Sequence, residues 1–415
     1  MSTLARRLGL ADAVVIGLGS MIGAGIFAAF TPAAAAAGSG LLVGLALAAA
    51  VAWANATSSA QLAAQFPESG GTYVYGRECL GETWGFAASW AFIVGKTASC
   101  AAMALTAATY ALGGTARAAP VVGLVVLAGL SWVLIRGIAK TARLARVLLV
   151  VTLASLLVTM VVVVVATAEW SSPVTELGES TAYGVVQSAG LLFFAFAGYA
   201  RIATLGEEVR DPEVTIPRAI TRALGIVIVL YAAVALLLLA TIGADGIAAS
   251  SLPLLASATA ADVSWIGAVL RVGATFAAIG ALLGLLSGVS RTVLAMARRG
   301  DLPRRLALVD PVVRVPVVAQ LTVAVAVGAL MMLTDLRHAI GVSSFGVLLY
   351  YAIANASAWT QAPAYRRWPR WVQAAGVIGC LLLALALPPA SVLTGALVVA
   401  CGLAGRFLVL RQSRP

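Results

Sequence analysis

Apolar runs of about 20 residues recur along the whole chain, separated by short stretches where arginine, glutamate, proline and glycine gather. A helix rises 1.5 Å per residue, so a run of this length crosses a hydrocarbon layer of about 30 Å. The pattern predicts spans near residues 12–36, 40–62, 84–112, 120–136, 142–167, 183–207, 217–243, 266–296, 313–333, 339–359, 371–387 and 389–409. No intervening stretch is long and polar enough for an aqueous domain. The expected fold is therefore all-α and integral to a membrane, with about twelve helices forming one transmembrane domain over residues 1–415.

Two of these runs carry residues that interrupt a helix. The first contains Gly17-Leu-Gly-Ser-Met-Ile-Gly-Ala-Gly-Ile-Phe27, with glycines at 17, 19, 23 and 25. A glycine in a helix interior costs about 1 kcal/mol relative to alanine, so four together predict a break. Irregular backbone at membrane depth is tolerated where it lines a polar cavity, and its free N–H and carbonyl groups suit a small zwitterion. The competing reading is that these glycines let helices pack closely. The sixth run contains Phe193-Phe-Ala-Phe-Ala-Gly-Tyr199, then Ala200, Arg201 and Ile-Ala-Thr-Leu-Gly206. A glycine beside a charge predicts a second break. The two breaks lie five spans apart, the spacing of two five-helix repeats of opposite topology. Repeat one would cover about 12–167 and repeat two about 183–359, leaving two extra helices at about 371–409.

Composition and charge narrow the function. The chain is 61% hydrophobic and 10% charged, against about 25% charged in aqueous proteins. Its net charge of +11 could suggest nucleic acid, but the distribution excludes that partner. With loops counted from a cytoplasmic N-terminus, basic groups at 6–7, 77, 136–146, 210–222, 291–314, 366–370 and 406–414 fall on or beside one side. Arg117 and Arg337 fall on the other, with Glu169, Glu176, Glu179, Asp245, Asp262 and Asp335. This positive-inside bias predicts an even number of crossings and both termini in the cytoplasm. Arg6 and Arg7 before an apolar segment resemble a signal peptide, but the segment is too long and is expected to remain as the first helix. Cys79, Cys100, Cys380 and Cys401 have no paired spacing and read as reduced thiols.

The motifs, taken in order, resemble the amino acid–polyamine–organocation (APC) superfamily permeases. They are Gly19-Ser-Met-Ile-Gly-Ala-Gly-Ile-Phe27, Phe66-Pro-Glu-Ser-Gly-Gly-Thr-Tyr-Val-Tyr75, and Phe193–Tyr199 leading to Glu207-Glu-Val-Arg-Asp-Pro212 and Ile216-Pro-Arg218. Ser290-Arg291, Ala295-Met-Ala-Arg298 and Gly300-Asp-Leu-Pro303 complete the set, which covers roughly residues 8–310. The resemblance implies the 5+5 inverted-repeat, leucine-transporter-like fold with discontinuous helices 1 and 6. It also implies a secondary amino acid transporter of the plasma membrane working by alternating access. Carried over by motif position, N–H groups of Ala24 and Gly25 would cradle the substrate carboxylate, with Gly23 giving close approach beside Ile22. Carbonyls of Met21, Phe194 and Ala197, next to Gly198, would accept its amine. Proton coupling or exchange is expected. Sodium coupling stays open because Thr152 occupies the fifth-span position where some relatives carry a lysine. No cofactor or metal is expected.

Charged residues inside spans refine this expectation. Lys96 sits at the middle of the third span, where a buried charge is expensive, and is a candidate coupling or gating group; the alternative is a structural lysine bonded to carbonyls of a broken helix. Arg201 follows the second break and could touch substrate or close a gate against Glu207 or Glu208. Arg271 reads as a surface anchor at the outer end of the eighth span. No Asp or Glu lies at the middle of any span, so a cationic substrate would lack a partner. Neutral amino acids are favoured, with anionic ones second. A cationic amino acid or polyamine permease and a non-transporting nutrient sensor of the same fold remain alternatives. A membrane enzyme lacks convergent acid–base or metal groups, since the single histidine, His338, sits at a loop edge. A channel would need a continuous polar stripe.

Overall fold

The computed structural model describes residues 8–67, 70–114, 116–136, 141–167, 170, 180–203, 208–263 and 265–412, without the side chains at 24, 116, 141–145 and 409–412. Helices occupy every apolar run. In chain order they are α1 Leu10–Met21, α2 Ala24–Ala28, α3 Phe30–Ala37, α4 Leu41–Gln65, α5 Thr72–Leu80, α6 Glu82–Ala111, α7 Ala119–Ile135, α8 Thr141–Ala166 and α9 Ala182–Phe196. They continue as α10 Ala200–Ala203, α11 Pro212–Ala249, α12 Pro253–Ala260, α13 Ile266–Arg298, α14 Val317–Leu333, α15 Leu336–Trp359, α16 Arg370–Ala386 and α17 Pro389–Gln412. Among the described residues there is no strand, only an isolated bridge between Leu8 and Val209.

Nine helical stretches among the described residues are long and apolar enough to cross a membrane, and α7, α14 and α16 are shorter apolar helices of 17 residues each. The chain is a multi-pass membrane protein. Two short helices, α5 and α12, lie outside the expected spans. The seventh run extends beyond its expected 217–243 because Pro212 starts α11 in the first turn, where a missing N–H costs nothing. Its backbone then leaves helical angles at Gly243 (φ 66°, ψ 174°), where that span was expected to end.

The interior of the bundle is built around α6 and α15, which pack on each other and are the most enclosed of the long helices. Against them lie α2 and α9, while α1 and α10 pack on α11 and on each other. Outward faces carry bare aliphatic side chains such as Val125, Val229, Val325 and Leu397, as a lipid-facing surface requires. Lipid gives helices no hydrophobic drive to associate, so the contacts depend on close approach of small residues. The alanine-rich sequence of α6 fits that role.

Candidate functional site

The first run does break where its glycines cluster. α1 ends at Met21, Ile22 turns out of the helix (φ −81°, ψ 62°), and Gly23 (φ −114°, ψ −134°) precedes α2. The Met21 carbonyl loses its helical partner and meets Tyr231 of α11 instead. The phenol oxygen of Tyr231 lies 2.7 Å from the Met21 carbonyl and 3.0 Å from the Ala195 carbonyl. One hydroxyl proton serves two acceptors, so Tyr231 ties the first interrupted helix to α9.

The second run breaks at Ala197–Tyr199, a single turn of 3-10 helix between α9 and α10. The Phe194 carbonyl accepts the Ala197 N–H. The Ala197 carbonyl is turned out of the helix and accepts Lys96 Nζ at 3.0 Å, with the Tyr351 hydroxyl at 3.4 Å. Lys96 is 4% exposed, and among the described residues no carboxylate forms an ion pair with it. Tyr351 stacks on Tyr199 with ring centres 4.9 Å apart. Behind it, Asn355 donates to the Asn55 carboxamide at 2.6 Å and to the Tyr351 carbonyl at 2.9 Å, and accepts from Ser58 at 2.7 Å. This buried network holds α4 and α15 in register behind the break.

The two breaks touch. A Cβ on Gly198 would meet the Ser20 carbonyl, and a Cβ on Gly25 would come within 2.6 Å of Ala195 Cα. Both glycines are therefore required for backbone contact between the interrupted helices. The side of Gly25 where a side chain would stand thus faces α9. Met21, Ile22, Gly23, Ala24, Gly25, Phe194, Ala197 and Gly198 are brought into one region, with Lys96 beside them. Each carbonyl named as an amine acceptor already has a donor from the chain itself: Tyr231 at Met21, the Ala197 N–H at Phe194, and Lys96 at Ala197.

The remaining expected residues lie apart from the breaks. Thr152 is buried on α8, and its hydroxyl donates to the Leu148 carbonyl at 2.8 Å, with the Gly273 carbonyl at 3.4 Å. Its neighbour Ser155 donates to the Val269 carbonyl at 2.7 Å, so this face of α8 fastens to α13. Arg201 sits in α10 one turn past the second break, with Arg291 and Glu208 as charged neighbours. The Glu208 carbonyl accepts the Leu8 N–H at 3.0 Å, which pins the start of the chain beside this segment. Glu207 lies outside the described residues. Arg271 is more than a surface anchor. Its guanidinium donates to the carbonyls of Tyr110 (3.0 Å) and Ala111 (2.6 Å), closing the C-terminus of α6.

Sequence reasoning missed the tyrosines. Tyr231 interrupts the aliphatic run Ile226–Ala240, and a lone hydroxyl in such a run needs an internal acceptor, which was the available signal. It also missed a charged cluster at the far end of the bundle. Asp301 accepts from the Tyr73 hydroxyl at 2.7 Å and pairs with Arg77 at 3.3 Å and Arg406 at 3.4 Å; Arg77 also pairs with Glu82 at 2.6 Å. Burial and the Asp301 carboxylate push the Tyr73 phenol up to about 12, so it remains a donor. The cluster joins α5, α6, the loop after α13 and α17.

Comparison with known proteins then identifies the chain. A family model described as amino acid permease matches residues 8–402. The chain belongs to the amino acid permease family. An uncharacterized transporter of Mycobacterium tuberculosis (strain ATCC 25618 / H37Rv) is 54% identical over 415 residues, covering 99% of this chain and 93% of that protein. The branched-chain amino acid permease of Bacillus subtilis (strain 168) is 26% identical over 85% of this chain and 80% of its own length. The serine/threonine exchanger of the same organism is 29% identical over 85% of this chain and 82% of its own. Membership of this permease family supports amino acid transport and points away from an enzyme.

Proposed function

We propose that this permease is a secondary transporter that carries amino acids across the cytoplasmic membrane by alternating access. Neutral substrates are preferred, and transport is proton-coupled or by exchange. The observation that carries this reading is the contact between two interrupted helices at the centre of the bundle, beside a buried lysine. Helix interruptions that meet at membrane depth supply the polar backbone groups a small zwitterion needs. Two of the similar proteins are named for neutral amino acids, the branched-chain permease and the serine/threonine exchanger.

In this reading the helices make twelve crossings: two five-helix repeats, about 12–167 and 183–359, followed by two extra helices. The biased distribution of arginine supports cytoplasmic termini. The substrate carboxylate faces N–H groups of Ala24 and Gly25, with Gly23 giving close approach, where the positive end of the half-helix favours an anion. Its ammonium lies near the carbonyls of Met21 and Phe194, sharing them with their internal donors, since a carbonyl has two lone pairs; Lys96 holds the Ala197 carbonyl, the third acceptor expected from the sequence. Lys96 carries the coupling charge. Arg201 with Glu208 and Glu207 forms a gate past the second break. The internal bonds of Thr152 lend a sodium role at that position no support.

Flux of labelled alanine or leucine into proteoliposomes tests the proposal. Saturable uptake is expected; linear, fast flux would indicate a channel, and absence of flux from folded protein a sensor.

A further inference from the structure

Lys96 is an unusual occupant for the heart of this bundle. It projects from the middle of α6, is 4% exposed, and has its Nζ 3.0 Å from the carbonyl freed by the second break. A carbonyl dipole is a partial partner for an ammonium group, and a buried cation without a counter-charge is strongly disfavoured. None of the ion pairs among the described residues includes Lys96; they lie elsewhere, at Asp12–Arg146 and in the Asp301–Glu82–Arg77–Arg406 cluster. Among the described residues no carboxylate supplies the missing negative charge, and a substrate carboxylate can.

The surroundings specify its form. α2 packs against α6, and Gly25 lies against Ala195, two residues before the carbonyl that holds Lys96. The carbonyl that holds Lys96 therefore belongs to the stretch of chain that contacts the first break, since its neighbour Gly198 lies against the Ser20 carbonyl. By contrast, the carbonyls at both breaks are supplied with donors: Tyr231 spans Met21 and Ala195, the Ala197 N–H serves Phe194, and Lys96 with Tyr351 serves Ala197. Lys96 thus brings a positive charge to the breaks, and the carbonyls of Met21, Phe194 and Ala197 are already engaged.

We propose that Lys96 stands where a substrate's ammonium would otherwise bind, so that the site recognises its substrate through a carboxylate and does not require an amino group. Monocarboxylates lacking the α-amine are then ligands alongside amino acids. The carboxylate completes an ion pair with Lys96, and the α-amine adds only the shared hydrogen bond of a carbonyl that is already occupied. This rests on the transport reading above, and deepens it by naming the group that the site selects.

Matched trios test it by thermal shift and by competition for uptake, with full-length protein in detergent and in proteoliposomes. One trio is leucine, 4-methylpentanoate (no amine) and 3-methylbutylamine (no carboxylate); equivalent trios carry the side chains of alanine and serine. In the wild type the deaminated acid should bind within about tenfold of its amino acid, the scale of one net hydrogen bond. The amine should be weaker by more than about a hundredfold, the scale of a lost buried charge partner. Lys96→Met should weaken the acid and the amino acid alike, by about a hundredfold, and leave the amine unchanged; the wild-type comparison stands even if that variant does not fold. Binding of the amino acid with a hundredfold weaker acid would overturn the inference and leave amino acid transport intact. Binding of the acid without amino acid uptake would support the inference and overturn the transport reading. Binding of no member of any trio would overturn both.

Discussion

The two interruptions begin from the same event, a helix stopping at mid-depth, and the chain fills them differently. At the first, the freed carbonyl is met by a neutral phenol, Tyr231, shared with the neighbouring helix. At the second, it is met by a lysine with a second phenol farther off. A phenol satisfies a carbonyl and adds no net charge; a lysine satisfies it and leaves a positive charge requiring an anion. In the proposed reading the first break fixes geometry, and the second fixes which ligand charge is tolerated. Under that proposal selectivity is assigned to Lys96 on α6 and shape to the glycine contacts.

The strongest way to break that division is to keep the interrupted helices apart. Gly25→Val or Gly198→Val drives a branched side chain into the facing backbone, at a cost above about 3 kcal/mol because neither partner is a movable side-chain tip. Monodisperse protein on size-exclusion chromatography should be largely lost. Folded but inactive Gly25→Val would show instead that the position fronts ligand space.

Next in size is removal of the charge. Lys96→Met keeps the long apolar stem and should remain monodisperse, while substrate uptake falls by about a hundredfold in kcat/KM. Accumulation against a gradient should suffer more than exchange. A variant that still concentrates substrate with the wild-type pH profile would make Lys96 structural.

Selectivity sharpens the same point. Alanine or leucine should outcompete lysine, arginine and putrescine, because a second cation about 6 Å from Lys96 costs roughly 3 kcal/mol at an effective dielectric of 20, about a hundredfold in affinity. Strongest competition by arginine or putrescine would mean that a carboxylate reaches the site. The smallest effect separates the phenols. Tyr231→Phe removes the donor shared by both interrupted helices and should weaken apparent affinity by roughly five- to tenfold, the scale of one net hydrogen bond. Tyr351→Phe should cost less, since Lys96 still serves Ala197 at 3.0 Å. Concentration-dependent uptake by the two variants measures the difference.

What could be read in the sequence follows from range. Hydropathy is local and strong, so helices lie where apolar runs predicted them, and the glycine cluster and the Ala197-Gly198 turn were visible as interruptions. Short amphipathic pieces such as α5 and α12 lack that signal. The direction each glycine faces is not local. Whether the open side of Gly25 or Gly198 faces a ligand or another helix depends on packing between residues 170 or more positions apart. The same holds for Lys96: its mid-span place was plain, while its acceptor, Ala197, lies 101 residues away. Arg271 was underread for this reason too, because the carbonyls it caps belong to α6.

Counterflow of labelled alanine and leucine in proteoliposomes, comparing wild type with equally monodisperse Lys96→Met, tests the central claim most directly. Saturable, trans-stimulated uptake by the wild type and its loss in the variant are the predicted result. Linear flux, no flux from folded wild-type protein, or equal counterflow by both proteins would contradict the account.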